Sequence, residues 1–322
     1  LNKIFNKLQD PNYIDIDIVC DAGVSNIAQY VNNYGSYSVY DQQIRPLVSY
    51  NAEQYPDIFK KLQLKENSDD SFSENQNTTY WKLDDGTTAW KTILQKYDNF
   101  CKNMRHDCIF IADVLRPFCL NGNQKIVRST NLKNTIENSI LPNIKKVIAL
   151  NSSYSAGYCN WFYVKDAYTD DFFWLPPSIK AAGVYTYIDT YYHPWDAPAG
   201  MNRGKLINVY DTAFSPKNDE AGKIYQSAWN YAINYPIDGI VLEGQKTFQI
   251  EQTALDRINV RRLMLYLEKQ TKYFAKFFLY EGNTEYIRQK FVDTIRPIFE
   301  DAKNSYGLNE YIIRCDETNN TQ

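Results

Sequence analysis

The stretch from Thr87 to Leu115, TTAWKTILQKYDNFCKNMRHDCIFIADVL, decides the fold class. Its first part spaces Trp90, Leu94, Tyr97 and Cys101 at helical intervals, which predicts an amphipathic helix from Thr87 to about Met104. Its second part, Cys108 to Leu115, reads as a buried strand. Upstream, Ile14-Asp15-Ile16-Asp17-Ile18-Val19-Cys20 alternates apolar and polar residues and breaks at Asp21-Ala22-Gly23, a strand ending in a turn. Ser25 is positioned to cap a short helix through Tyr34, and Pro46 to Leu64 reads as irregular and partly helical. Downstream, a helix near Leu132 to Leu141 leads to a strand from Lys146 to Leu150. Strand and helix alternate as a parallel or mixed sheet with covered faces requires, so this half is expected to be α/β.

The second half is mixed. Cys159 to Lys165 (CNWFYVK) reads as an aromatic strand, and Trp174-Leu175-Pro176-Pro177-Ser178 as a strand end followed by a helix through Tyr192, since proline fits a first helical turn. Pro194 to Gly200 (PWDAPAG) reads as a stiff loop, Lys205 to Tyr210 as a strand, Ala221 to Trp229 as a helix and Gly239 to Glu243 as a short strand. The longest predicted helix runs from Thr253 to about Tyr280, with Thr253 and Asp256 at capping-box spacing and Gly282 just beyond. Leu263, Leu267, Phe274 and Phe278 form its apolar stripe, and Arg262, Lys269, Lys272 and Lys276 line another face. A further helix from Thr284 is expected to bend or restart at Pro297, and Tyr311 to Cys315 to form a last strand. The expected architecture is α/β, becoming α+β toward the C terminus, with mixed sheets flanked by helices.

A length of 322 residues suits roughly two domains. The polar segment 64–86 (LKENSDDSFSENQNTTYWKLDDG) reads as a surface insertion. No run approaches the ~20 apolar residues of a membrane span, and 35 basic against 38 acidic residues leave no basic footprint for nucleic acid. The chain holds 27 Tyr, 16 Phe and 6 Trp but only 2 His, a balance that favours contact surface over imidazole chemistry. The six cysteines form no CxxC pair, and free buried thiols are expected.

Catalytic patterns find little support. Neither His106 nor His193 has a neighbouring GxSxG or HExxH motif, and His193 sits at a helix end where an imidazole commonly compensates the dipole. The acid pairs Asp69-Asp70, Asp84-Asp85 and Asp170-Asp171 read as solvated turn residues, although a glycosidase-like hydrolase uses two such acids. No phosphate-binding glycine loop is present. No catalytic residue, cofactor or metal is therefore assigned.

From Cys159 onward an ordered series of short motifs stands out. It comprises Trp161-Phe162-Tyr163, Pro176-Pro177-Ser178 with Ala182-Gly183, Trp195-Asp196-Ala197-Pro198-Ala199-Gly200 with Gly204, and Gly244-Gln245-Lys246-Thr247. Ile258-Asn259-Val260-Arg261-Arg262-Leu263, Arg288, Gly307 and Cys315-Asp316-Glu317-Thr318-Asn319-Asn320-Thr321 complete it. In this order, over about 160 residues, the series resembles the tail sheath proteins of contractile bacteriophages and related injection machines. The first 150 residues resemble the family through their α/β pattern. Physically, Pro194 to Gly200 suits a rigid corner anchored by Trp195, and Gln245 and Thr247 suit backbone capping at a strand end. Arg261 and Arg262 lie about 100° apart on a helix, so one is expected to pair inside and the other to face outward.

The resemblance implies a subtilisin-like sheath domain over residues 1–155, without a protease triad, and a conserved C-terminal sheath domain over 156–322. It implies a non-enzymatic subunit of a six-fold helical sleeve around a tail tube, which contracts to drive the tube through the host envelope. Implied partners are further copies of the chain, the tail tube protein, and baseplate and tail terminator proteins, with no nucleic acid and no membrane. The implied location is the virion tail sheath, after assembly in the host bacterial cytoplasm. Arg262, Lys269, Lys272 and Lys276 become the candidate tube or inter-subunit contacts. Family members carry terminal arms that add strands to neighbouring subunits, and these arms have no counterpart before Leu1 or after Gln322. The chain is accordingly expected to be a fragment that stays monomeric or assembles weakly. The rival expectations are a carboxylate hydrolase, with a perturbed acid in a concave pocket, and a carbohydrate-binding module, with an exposed coplanar row of Trp or Tyr.

Overall fold

The computed structural model describes residues 1–28, 88–119, 132–145 and 150–320. The chain opens with α1 (Asn2–Leu8) and β1 (Ile18–Cys20), and the amphipathic stretch forms α2 (Thr88–Asn99), which continues as π-helix through Phe100–Arg105. His106 ends it in the left-handed region and turns the chain into β2 (Ile109–Asp113). After α3 (Arg116–Cys119), the segment of α4 (Leu132–Thr135) passes through a π-helical stretch, Ile136–Ile140, into α5 (Leu141–Ile144). β3 (Ser155–Tyr158), β4 (Phe162–Lys165) and β5 (Phe172–Leu175) precede α6 (Pro177–Tyr191). The remaining elements are β6 (Asp211–Thr212), α7 (Asn218–Gln226), β7 (Tyr231–Tyr235), β8 (Gly239–Glu243), α8 (Ile258–Ala275) and α9 (Glu285–Asn304).

The described fold is α/β, with three small sheets. β1, β2 and β3 form a parallel sheet in that order, with Val19 opposite Phe110 and Ile111 opposite Ala156. β5-β4-β6 and the hairpin β7-β8 are antiparallel. β2 is buried at every position, as a central strand covered on both faces must be. On one face α2 supplies Trp90, Leu94 and Tyr97, with Tyr97 stacked on Phe110 at 4.7 Å. On the other, α6 packs Ala181, Tyr185 and Ile188 against Ile109, Ile111 and Tyr158. Residues on both sides of position 155 thus share one sheet and the same two clusters.

Several expectations are corrected. The third sheet strand is β3, whose Ser-Ala-Gly-Tyr sequence carries little strand signal; it is set by Gly157, where a Cβ would lie 2.5 Å from Phe248 and Trp229. The helix near residue 25 begins at 24 and is capped by Asp21, whose carboxylate accepts from the Ser25 amide at 3.0 Å. Residues 205–210 form no strand. They cross from β8 to β4, since the Leu206 amide donates to Ile240 at one end and the Tyr210 amide to Tyr163 at the other. Among the described residues α9 is the longest helix, and it continues through Pro297 without a restart, with Val292, Ile295 and Ala302 buried. Tyr311 to Cys315 join no strand among the described residues. The expected elements at 46–64, the insertion 64–86 and most of the strand 146–150 lie outside the described residues.

Of the cysteines, Cys101, Cys108, Cys119 and Cys159 are buried, and all six thiols are free. No helix among the described residues is long and apolar enough to cross a membrane.

Candidate functional site

The motif-bearing half is organised around the helical hairpin α8–α9 and the corner that receives it. Trp195 sits in the Pro194 to Gly200 loop, stacked on His193 at 4.7 Å and edge-on to Tyr266 of α8 at 5.5 Å. Its indole donates to the Ser305 carbonyl at 3.3 Å, and a Cβ on Gly307 would lie 2.9 Å from the indole ring. Gly307 is therefore fixed by close approach. The corner is tied to β8 through the Gly200 amide, which donates to Leu242 at 2.9 Å, and is braced by the Arg203–Asp196 ion pair.

The Gly244 to Thr247 motif joins β8 to the start of α8. Asn230 brackets Lys246, accepting from its amide at 2.7 Å and donating to its carbonyl at 2.9 Å. Thr247 caps backbone as expected, donating to the Leu255 carbonyl at 3.0 Å. Gln245 does so through its main-chain carbonyl, which accepts from Ile258, while its side-chain oxygen has no hydrogen bond. The expected Thr253–Asp256 capping box is not formed. Thr253 caps a short 3₁₀ turn, and Asp256 pairs with Lys246 and Arg257. The Cys315 to Asn320 motif closes on itself, with the Thr318 amide donating to Asp316 at 2.9 Å and Asn319 donating to the Arg314 carbonyl at 2.7 Å.

Arg261 and Arg262 both face inward, which corrects the expectation that one points out. Arg261 lies 4.2 Å above the Tyr154 ring and bonds Ser153; Arg262 lies 4.9 Å above Tyr185 and pairs with Asp189. Two planar guanidiniums stacked on tyrosines keep much of their charge in contact with π faces, which a lysine at either position would not do as well.

The basic stripe divides along its length. Arg262 and Lys269 line a groove together with Asp15, Asp17, Asp107 and Asp189. Lys269 reaches Asp15 at 2.6 Å and Asp17 at 2.5 Å, which clamps the segment before β1 onto α8. Burial opposes the Lys269 charge, but those two hydrogen bonds outweigh it and lift its pKa above the ordinary lysine value. Burial pushes the Asp189 carboxyl up, against the pull of Arg262. Asp107 is held by Arg105 at 2.8 Å. Each acid of the groove is thus held by a cation, an arrangement that bolts segments together. Lys272, near the end of α8, and Lys276, at the start of the 3₁₀ turn Lys276–Phe278 that continues it, are exposed.

Beyond them the hairpin ends in an apolar surface that sequence periodicity missed, because Tyr273, Phe277, Leu279, Tyr280 and Tyr286 fall off the Leu263–Leu267 stripe. All five are exposed, with Phe277 at 67% and Tyr280 fully so. The tip is held by an edge-on contact of Phe278 on α8's continuation with Phe291 on α9 at 5.3 Å. Five exposed apolar side chains at the end of one helical hairpin, with the Tyr273 and Phe277 rings 5.8 Å apart, suit contact with another protein. Trp90, Trp161, Trp174, Trp195 and Trp229 are all buried, so none joins an exposed row. The exposed Tyr187 and Tyr191 rings are tilted by 46° to each other and are not coplanar.

No family model matches the chain. Among curated proteins it is 31% identical over 234 residues to the tail sheath protein of Vibrio phage KVP40, covering 71% of this chain and 35% of that protein. It is 34% identical over 177 residues to the tail sheath protein of Salmonella phage ViI, covering 55% of this chain and 28% of that protein. The tail sheath protein of Enterobacteria phage T4 is 34% identical over 172 residues, 53% of this chain and 26% of the relative. The chain thus spans about a third or less of the curated relatives it matches. Among solved structures, the contracted helical sheath of the anti-feeding prophage aligns over 67% of this chain and 52% of its own, at 19% identity and a TM-score of 0.49. With identities of 31% and 34% to three phage proteins of one kind, the matched part of the chain fits the tail sheath protein family.

Proposed function

We propose that this chain acts in a structural, non-enzymatic subunit of a contractile tail sheath, which polymerises as a six-fold helical sleeve around a tail tube and contracts to drive the tube through the host envelope. The observation that carries this reading is the 31% identity over 234 residues to a phage tail sheath protein. The partners under this reading are further copies of the chain, the tube protein, and baseplate and terminator proteins; the location is the virion tail, after assembly in the host cytoplasm. The geometry supports a mechanical division of labour. The sheet core and the Trp195 corner form a body that moves as a unit, while exposed surfaces such as the hairpin tip exchange contacts as interfaces convert from one packing to another. Within the basic stripe, Lys272 and Lys276 are the positions free to meet a partner's acidic surface, and Arg262 and Lys269 set the orientation of α8 that presents them.

The test is co-assembly of the protein in its full natural length with tail tubes, read by pelleting. Lys272→Glu with Lys276→Glu is expected to reduce co-pelleting at least about tenfold at low salt while thermal stability stays within about 0.5 kcal/mol of the parent. Unchanged co-pelleting would remove both lysines from the contact.

A further inference from the structure

At the C-terminal ends of β1 and β2, two carboxyl groups are sealed from solvent beside each other. Asp21 and Asp113 are both 0% exposed, and both are bonded to the same turn, Asp21 through Ser25 and Asp113 through Gly23. Asp113 also gathers three donors from two distant segments. Its Oδ1 accepts from the Ser178 amide at 2.6 Å, and its Oδ2 accepts from the Ser178 hydroxyl at 2.8 Å and the Gly23 amide at 3.0 Å. Ser178 lies in the first turn of α6, and its hydroxyl oxygen in turn accepts from the Ala22 amide at 2.9 Å. Asp21 accepts from the Ser25 amide at 3.0 Å and from the Ser25 hydroxyl. The pair therefore joins three pieces of backbone: the turn 21–25, the end of β2 and the start of α6.

Two neighbouring carboxyl groups sealed from solvent resist ionising together, because each lacks water to stabilise its charge and each repels the other. The donated hydrogen bonds favour the ionised form but burial outweighs them, and among the described residues no cation pairs with either carboxylate. Cys20 on β1, Tyr97 on α2 and Cys119 on α3 are themselves held neutral, their pKa values raised by burial and by the nearby aspartates, with Cys20 pushed up to about 11. Arg116 on α3 directs its guanidinium over Trp161 at 5.9 Å. Ser25 and Ser178 contribute amide and hydroxyl hydrogen bonds but no charge.

We propose that Asp21 and Asp113 form a proton-holding latch that fastens the turn after β1 to the N terminus of α6, and that loss of its protons as the medium becomes alkaline releases this attachment. The latch needs no substrate path and lies apart from the groove on α8. Burial is the main cause of the upward shift at both groups, and repulsion from Asp21 adds to it at Asp113; Asp21 rises to about 7. The sign follows from linkage. The unfolded chain releases these protons near pH 3.9, whereas the folded chain keeps them, so the stabilisation is complete below that pH and declines as pH rises through 7 and beyond.

Two measurements on the whole chain test the latch. Carboxyl ¹³C NMR is expected to show two aspartate signals still in the protonated range at about pH 6, when ordinary aspartates are ionised. If every aspartate carboxyl has titrated by about pH 5, the proposal is overturned, and this readout needs no variant. The second measurement is thermal melting from about pH 5 to pH 9 for the parent and for Asp21→Asn, whose amide imitates the protonated group. The parent is expected to lose on the order of 5 °C across this range, and the variant to lose clearly less. Parallel slopes for the two proteins would overturn it, and Asp113→Asn serves in the same comparison if Asp21→Asn does not fold.

Discussion

The sheet core and the tip of the α8–α9 hairpin draw on the same aromatic composition and use it in opposite ways. In the core, Trp229 is completely buried between Phe248 at 5.0 Å and Trp90 at 6.4 Å, its indole donates to the Ile144 carbonyl, and Gly157 leaves room for the ring. At the tip, Phe277 and Tyr280 stand in solvent beside Lys272 and Lys276. Core rings are fixed by shape and hydrogen bonds and contribute through burial. Tip rings contribute little burial to the isolated chain and stay available for contact with a partner. Stability and assembly are therefore expected to be separable by mutation.

The largest effect is expected at the core. Trp229→Ala should cost about 3–5 kcal/mol in urea unfolding, and a loss under about 1.5 kcal/mol would mean that the two halves of the chain do not depend on this shared cluster. An intermediate effect is expected where α8 meets the body: Asp189→Ala strands the buried Arg262 and should cost about 1.5–3 kcal/mol by the same measurement. A cost near zero would show that stacking on Tyr185 alone holds the guanidinium. The smallest effect on folding is expected at the tip, where Phe277→Ser with Tyr280→Ser should stay within about 0.5 kcal/mol of the parent while weakening self-association of the full natural-length protein in sedimentation velocity. A folding loss above 1 kcal/mol at the tip would erase the contrast between the two regions.

Where the chain's pattern is local, it was readable. Trp90, Leu94, Tyr97 and Cys101 recur at helical spacing, and the helix is there with those residues buried. Pro176-Pro177 closes β5 and opens α6 as proline chemistry demands. Where distant partners decide, the pattern was silent. β3 exists because β2 and Trp229 fit around Ser155–Tyr158, and residues 205–210 fail as a strand because their two ends bond to different sheets. The stripe on α8 shows the same limit at the candidate site. Four cations share one face by spacing, but only the position of Asp189, and of Asp15 and Asp17 more than 250 residues upstream of Lys269, determines which of them are occupied. The Asp21–Asp113 latch had no sequence signal, since 92 residues separate its members and neither lies in a motif.

Under the proposed function this fold serves a polymer. Electron microscopy of the protein in its full natural length is then expected to show hollow tubes whose end views and layer lines carry six-fold helical symmetry, and a particle that stays monomeric at high concentration, with and without tail tubes, would contradict that function.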